Sequence, residues 1–310
     1  MTASDDKAEL SQGRPVVFGE VLFDTFPDGA AVLGGAPFNV AWHLQGFGLD
    51  PLFISRIGDD EPGTRVLDTM RAWGMDIRGL QVDDDHPTGK VQVSLDHGQP
   101  SFSILADQAY DFIELEAAVG AATRAAPALL YHGSLCARQP ASRETLRGLR
   151  QRCTAPTFVD INLRDPWWSR ERVDELLSGT RWAKLNDNEL NLLTGRPTTG
   201  AEMEAAADAF RRRAGMDLLI VTRGTQGAFV ATDEGVTHGK PVLVEDVVDT
   251  VGAGDAFSAV MLYGLIHNWP LPRSLQRAMA FAAAMCERRG ATVPDHGLYR
   301  DHQAKWDSGC

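Results

Sequence analysis

Apolar residues along this chain fall into two rhythms. Short continuous runs, bounded by Gly, Pro and Asp, occur at 16–23, 51–58, 129–133, 157–161, 181–185, 218–222 and 227–232. Runs of that length and bounding are expected to be buried strands. Between them lie segments of helical period at 63–73, 143–153, 170–177, 187–194, 201–214 and 274–289. Another helix opens at Gly34-Gly35-Ala36-Pro37 and runs through 39–44, with Pro near its start, where a missing N–H costs nothing. Strands alternating with helices predict an α/β fold with a mostly parallel sheet and helices on both faces.

Two stretches break that rhythm. Pro27-Asp28-Gly29 is a turn, after which 30–33 returns as a short strand. In 82–104, Val91, Val93 and Leu95 alternate with polar residues, Asp96-His97-Gly98-Gln99 forms a turn, and Phe102 and Ile104 alternate again. Period-two alternation around a turn predicts a β-hairpin with one polar face, which belongs to a separate small sheet. The expected layout is a flexible tail over 1–14, one domain over 15–300 and a C-terminal tail over 301–310.

The most informative segment is Asp249-Thr250-Val251-Gly252-Ala253-Gly254-Asp255-Ala256-Phe257. An apolar, β-branched run, 241–248, leads into it as an expected strand. Phe257, Val260, Met261 and Leu265 then give a helical period. Small residues and a carboxylate thus sit at a helix N-terminus, where the first backbone N–H groups lack intrahelical partners and carry the positive dipole end. Glycines let that backbone approach an anion. A cradle of this kind beside a carboxylate suits phosphoryl transfer to a hydroxyl: N–H groups steady the moving phosphoryl, and Asp255 takes the hydroxyl proton. The same residues can also serve only as a turn and a capped helix.

The string resembles the D-T-x-G-A-G-D-x-F signature of the ribokinase-type (PfkB) carbohydrate kinases. Gly34-Gly35-Ala36-Pro37-Phe38-Asn39 resembles that family's G-G-A-P-x-N, and Lys184-Leu185-Asn186-Asp187-Asn188-Glu189 its K-x-N-x-x-E. Val221-Thr222-Arg223-Gly224-Thr225-Gln226-Gly227 resembles V-T-x-G-x-x-G, and Asp160-Ile161-Asn162-Leu163-Arg164 resembles a segment of fructokinase-like and ketodeoxygluconate-kinase-like members. The likeness spans about 16–294. It implies a ribokinase-like fold in which 24–33 and 82–104 form a β-sheet lid, with ATP and Mg²⁺ as cofactors and K⁺ as a further ion. Asp255, with Gly252, Ala253 and Gly254, is the implied catalytic centre. Asp24, Gly34, Gly35, Asn39 and Arg164 would bind the sugar. Lys184, Thr222, Gly224 and Gly227 would meet ATP, Asn186 and Glu189 would place Mg²⁺ through water, and Asp249 and Val251 would hold K⁺. Asn186 with Glu189 three residues on also reads as a helix capping pair. Gly19-Glu20, together with Asn162-Leu163-Arg164, looks fructokinase-like, so D-fructose is the expected acceptor. Alternatives are 2-dehydro-3-deoxygluconate, a nucleoside, or a non-catalytic sugar- or nucleotide-binding sensor. A homodimer through the lid is expected, as in many members.

Composition narrows this further. A net charge of -12 disfavours nucleic acid and anionic membrane as partners. No apolar run reaches the roughly 18 residues of a membrane span, and the polar start lacks the apolar core of a secretory signal. Four scattered cysteines without a C-x-x-C pair argue against zinc or a disulfide framework and for the cytoplasm. The chain has no P-loop, H-E-x-x-H or G-x-S-x-G motif, and the first strand is not followed by the G-x-G-x-x-G of a NAD enzyme. His132, Ser134 and Cys136 are best explained as a strand end.

Overall fold

A computed structural model describes residues 10, 13–96 and 99–308. The expected tail at 1–14 lies almost wholly outside the described residues, as do His97 and Gly98 of the expected turn. The strands are β1 Arg14–Phe18, β2 Leu22–Thr25, β3 Ala31–Gly34, β4 Leu52–Gly58, β5 Leu80–Asp83, β6 Gly89–Asp96 and β7 Gln99–Ile104. They continue as β8 Pro127–His132, β9 Thr157–Asp160, β10 Trp182–Asn186, β11 Leu218–Thr222, β12 Ala228–Thr232 and β13 Gly235–Gly239. Nine of them form the main sheet in the order β13-β12-β11-β10-β9-β8-β1-β4-β5, parallel from β11 to β5 and antiparallel at β12 and β13.

The order explains where a ligand can enter. From β1 the chain first builds outward through β4 and β5, then returns to place β8 on the other flank. Connections diverge at β1 and β8, and the crevice outside their carboxyl ends is the usual ligand site of an open α/β sheet. Separate apolar clusters pack the sheet. One joins Val17, Phe38, Trp42, Phe257 and Phe281; the others hold Phe18 with Leu146, and Val159 with Phe210 and Phe229.

The small sheet has the order β3-β2-β6-β7, and Leu22, Val91 and Tyr110 form its own apolar cluster. Here the strand expected over 16–23 is corrected. It divides after Phe18, and β2 leaves the main sheet to pair with β6 from Leu22. Val21, Leu22 and Phe23 stay buried through the crossing, so the hydrophobic pattern carries no sign of the break. The expected 82–104 hairpin is likewise split. Val82 lies in β5 of the main sheet, and only β6 and β7 pair in the small one.

Two further expectations fail. The run 241–248 forms no strand, and Leu243 is 91% exposed. The sheet edge is taken instead by β13, which the sequence reading missed; β-propensity without a partner strand yields no strand. Residues 301–307, expected as a tail, are the second half of the helix His296–Asp307, with His302 and Trp306 buried. Among the described residues no helix is long and apolar enough to cross a membrane.

Candidate active site

The helix Ala253–Ile266 starts at Gly252, whose φ is 78°. A side chain there would meet the Ala291 Cβ at 2.3 Å, so this position needs both a left-handed backbone and bare space. The preceding loop is tied down by Asp249. Its carboxylate accepts from the N–H of Val251 and of Gly290, both at 3.0 Å. The N–H groups of Val248 and Asp249 donate to the Cys286 carbonyl at 2.9 and 3.1 Å. The loop and segment 286–291 therefore form one unit behind the helix N-terminus.

Asp255 lies in the first turn of that helix. Asn39, on the helix Ala36–Gly46, donates from Nδ2 to Asp255 Oδ2 at 2.8 Å. The Asn39 helix begins at Gly35, with φ 110°, where a Cβ would stand 2.7 Å from the Glu20 carbonyl. A Cβ on Gly34 would lie 3.8 Å from Asn39 Oδ1 and 3.9 Å from Asp24 Oδ2. Asp24, Gly34, Gly35, Asn39 and Asp255 are thus brought together from three segments.

Burial raises the Asp255 carboxyl to about 7, against the Asn39 hydrogen bond; Asp160 adds to the rise, while Lys184 and Arg164 oppose it. Glu20, also raised to about 7 by burial, is opposed by its own backbone N–H and pushed further by Asp255. Burial raises Asp24 too, with Arg164 pulling the other way. Arg164 is exposed and donates only locally, to the Leu163 carbonyl at 3.2 Å, within electrostatic reach of all three carboxyls. A carboxyl poised near neutrality at a helix N-terminus can take a proton from a hydroxyl, and the adjoining N–H groups can hold an anion.

Beneath the cradle, Lys184 Nζ pairs with Asp160 Oδ2 at 2.7 Å, and Ser258 Oγ donates to the same oxygen at 2.8 Å. The ammonium stands 3.6 Å from where a Gly254 side chain would begin. Asn186 and Glu189 form the capping pair: Asn186 Oδ1 accepts from the Glu189 N–H and Glu189 Oε2 from the Asn186 N–H, both at 2.8 Å. Glu189 Oε1 accepts from Leu163 N–H at 2.7 Å, which fixes the Arg164 loop to this helix. Thr222 ends β11, and Gly224 and Gly227, with φ 53° and 84°, bound the tight turn into β12.

Comparison with known proteins identifies the family. Residues 22–296 match the model of the pfkB family carbohydrate kinases. The chain belongs to that family. The kinase is 31% identical to a fructokinase of Klebsiella pneumoniae over 295 residues, covering 90% of this chain and 92% of the relative. It is 25% identical to a 5-dehydro-2-deoxygluconokinase of Shouchella clausii, covering 84% and 82%. A fructokinase from Xylella fastidiosa with bound ATP superposes with a TM-score of 0.81 at 22% identity, over 95% of this chain and 99% of that one. A fructokinase variant from Vibrio cholerae, solved with fructose, ADP and a potassium ion, gives a TM-score of 0.74 at 24% identity, over 93% and 97%. The fold is ribokinase-like, and the protein is an ATP-dependent carbohydrate kinase.

The sequence reading missed a buried charged cluster within electrostatic reach of Glu20. Arg138 is buried and clamps Asp111 with two bonds, Nε to Oδ1 at 2.7 Å and Nη2 to Oδ2 at 2.6 Å. Its guanidinium lies 4.4 Å from the Trp167 ring centre and 5.0 Å from that of Tyr110. Asp160 was visible in its motif but given no role. Among the described residues no three His, Cys, Asp or Glu side chains gather to hold a metal.

Proposed function

We propose that this kinase transfers the γ-phosphoryl group of ATP to a primary hydroxyl of D-fructose, giving fructose 6-phosphate. The observation that carries the reading is the hydrogen bond from Asn39 to Asp255, which ties the sugar-side helix to the carboxyl of the anion cradle. Asp255 takes the hydroxyl proton as the oxygen attacks phosphorus. The N–H groups of Gly252, Ala253 and Gly254 hold the charge that develops. Asp24, Gly34, Gly35, Asn39 and Arg164 seat the sugar, while Lys184, Thr222, Gly224 and Gly227 face the nucleotide. Asn186 and Glu189 would hold Mg²⁺ through water, and the ion would supply positive charge to the nucleotide phosphates. Asp249 and Val251, in the loop joined to 286–290, would hold K⁺. The lid closes over the sugar and meets a second copy in a cytoplasmic homodimer.

Fructose is supported by the names of the relatives and by charge. Glu20, Asp24 and Asp255 line the sugar side, so a neutral polyol enters with less repulsion than a sugar acid. A second reading, 2-dehydro-3-deoxygluconate, is favoured by the exposed guanidinium of Arg164, whose fork suits a carboxylate. The test is ADP release with Mg·ATP across fructose, ribose, adenosine and 2-dehydro-3-deoxygluconate. Fastest turnover on fructose upholds the proposal; turnover confined to the sugar acid replaces it with the second reading.

A further inference from the structure

Three neighbouring side chains beside the proposed base carry buried polar atoms without partners: Glu20 Oε2, Tyr110 Oη and Arg138 Nη1. Their residues are 3%, 0% and 4% exposed. Buried polar groups are almost always satisfied within a fold, so three orphans together call for an occupant. They form one group. The Arg138 guanidinium lies over the Tyr110 ring, and the Glu20 carboxyl feels the charges of Arg138, Asp255 and Arg164.

The group is rigid. Asp111 holds two nitrogens of Arg138, the Leu105 carbonyl accepts from Nη2 at 2.6 Å, and Trp167 covers the guanidinium at 4.4 Å. Only Nη1 is left free to reach a ligand. Tyr110 packs against Leu22 and Val91 of the small sheet, so the wall is continuous with the lid.

We propose that Glu20, Tyr110 and Arg138 are the specificity wall of this kinase, reading the hydroxyls of a neutral sugar that are not phosphorylated. Nη1 can only donate, Glu20 accepts or donates with its protonation, and the Tyr110 hydroxyl does both. Adjacent hydroxyls of a polyol, each donor and acceptor, satisfy all three. A carboxylate does not, because Asp111 already matches the Arg138 charge, and Glu20 and Asp255 repel a further anion. The assignment rests on the sugar-kinase reading of this site and not on fructose being the acceptor.

The test compares the full-length enzyme with Tyr110→Phe and Glu20→Gln under Mg·ATP, using fructose, ribose and 2-dehydro-3-deoxygluconate. Each variant is expected to raise KM for the accepted sugar about tenfold or more, the loss of one well-placed hydrogen bond. KM for ATP should stay within about twofold, and kcat should change less than the sugar KM. Tyr110→Phe removes an unpartnered hydroxyl, so its unfolding midpoint should stay level or rise, which separates recognition from folding. Unchanged sugar KM in both variants overturns the proposal and leaves the three atoms to bound water. Turnover restricted to the sugar acid overturns it as well. Turnover on ribose rather than fructose removes only the fructose reading, and the variants are then judged on ribose. No turnover on any sugar overturns the wall and the proposed function together.

Discussion

Asp255 and Glu20 share one pocket, and the same loss of water drives both to about 7. Their partners differ. Asp255 accepts from Asn39 at 2.8 Å and sits in the first turn of a helix, where an anion is favoured. Glu20 keeps Oε2 without a partner, and the Asp255 charge pushes it further toward the protonated form. Burial sets a common level for the two carboxyls, opposed at Asp255 by the Asn39 donor and at Glu20 by its own backbone N–H.

The largest effect that could break this contrast is at Asp255. Asp255→Asn should lower kcat by roughly 10²–10⁴-fold, the usual worth of a positioned general base. Sugar-induced protection against thermal unfolding should survive in that variant. A loss below about tenfold would remove Asp255 from the role of base and leave it the equal of Glu20.

Next in size is the clamp behind Glu20. Asp111→Ala leaves the buried Arg138 unpaired, and breaking a buried ion pair costs about 3–5 kcal/mol. Urea unfolding should show that loss. Little change would mean that Arg138 turns to Glu20 and recovers its partner there.

A smaller and sharper probe is pH. The proposed role of Asp255 as base requires it to lose its proton, so kcat/KM should rise with pH through about 7 and level off above it. Glu20→Gln should retain this limb and move it slightly downward, because a like charge is gone. Stability should run the opposite way. A carboxyl raised from 3.8 to about 7 stabilises the fold fully below the lower value, and that contribution is lost as pH rises through the upper one. The stability of the wild type relative to Asp255→Asn should therefore decline from about pH 4 to pH 7. A pH-independent difference would show that Asp255 is ionised throughout.

The smallest expected effect lies beside the pocket. Asn186→Ala removes a cap that accepts from the Glu189 N–H, worth about 1 kcal/mol in thermal unfolding. A much larger loss would tie this cap to the Leu163–Glu189 link that steadies the Arg164 loop.

The two sides of the site were unequally legible in the sequence. The cradle is local: glycines, a helix start and a carboxylate fall within nine residues, so spacing alone brings an anion site into view beside the plainer reading of a turn and a capped helix. The Glu20 side is assembled from afar. Arg138 reaches Asp111 across 27 residues there, just as Lys184 reaches Asp160 across 24 beneath the cradle, and neither pairing leaves a periodic trace. Leu298, His302 and Trp306 did carry a helical spacing that the reading of 301–310 as a tail overlooked. The opposite error at 241–248 has another origin: β-branched residues favour a strand only when one lies alongside, and the last antiparallel pair had closed at Gly239.

The bond between Asn39 and Asp255 also has a consequence in time. Its two ends are 216 residues apart. At a synthesis rate of ~5–20 residues per second, the ribosome adds Asp255 roughly ten to forty seconds after Asn39. Throughout that interval the growing chain carries the proposed sugar-side helix and none of the proposed phosphate cradle. With the proposed roles, a nascent polypeptide lacks its base until after the last strand of the main sheet, Gly235–Gly239, has been made.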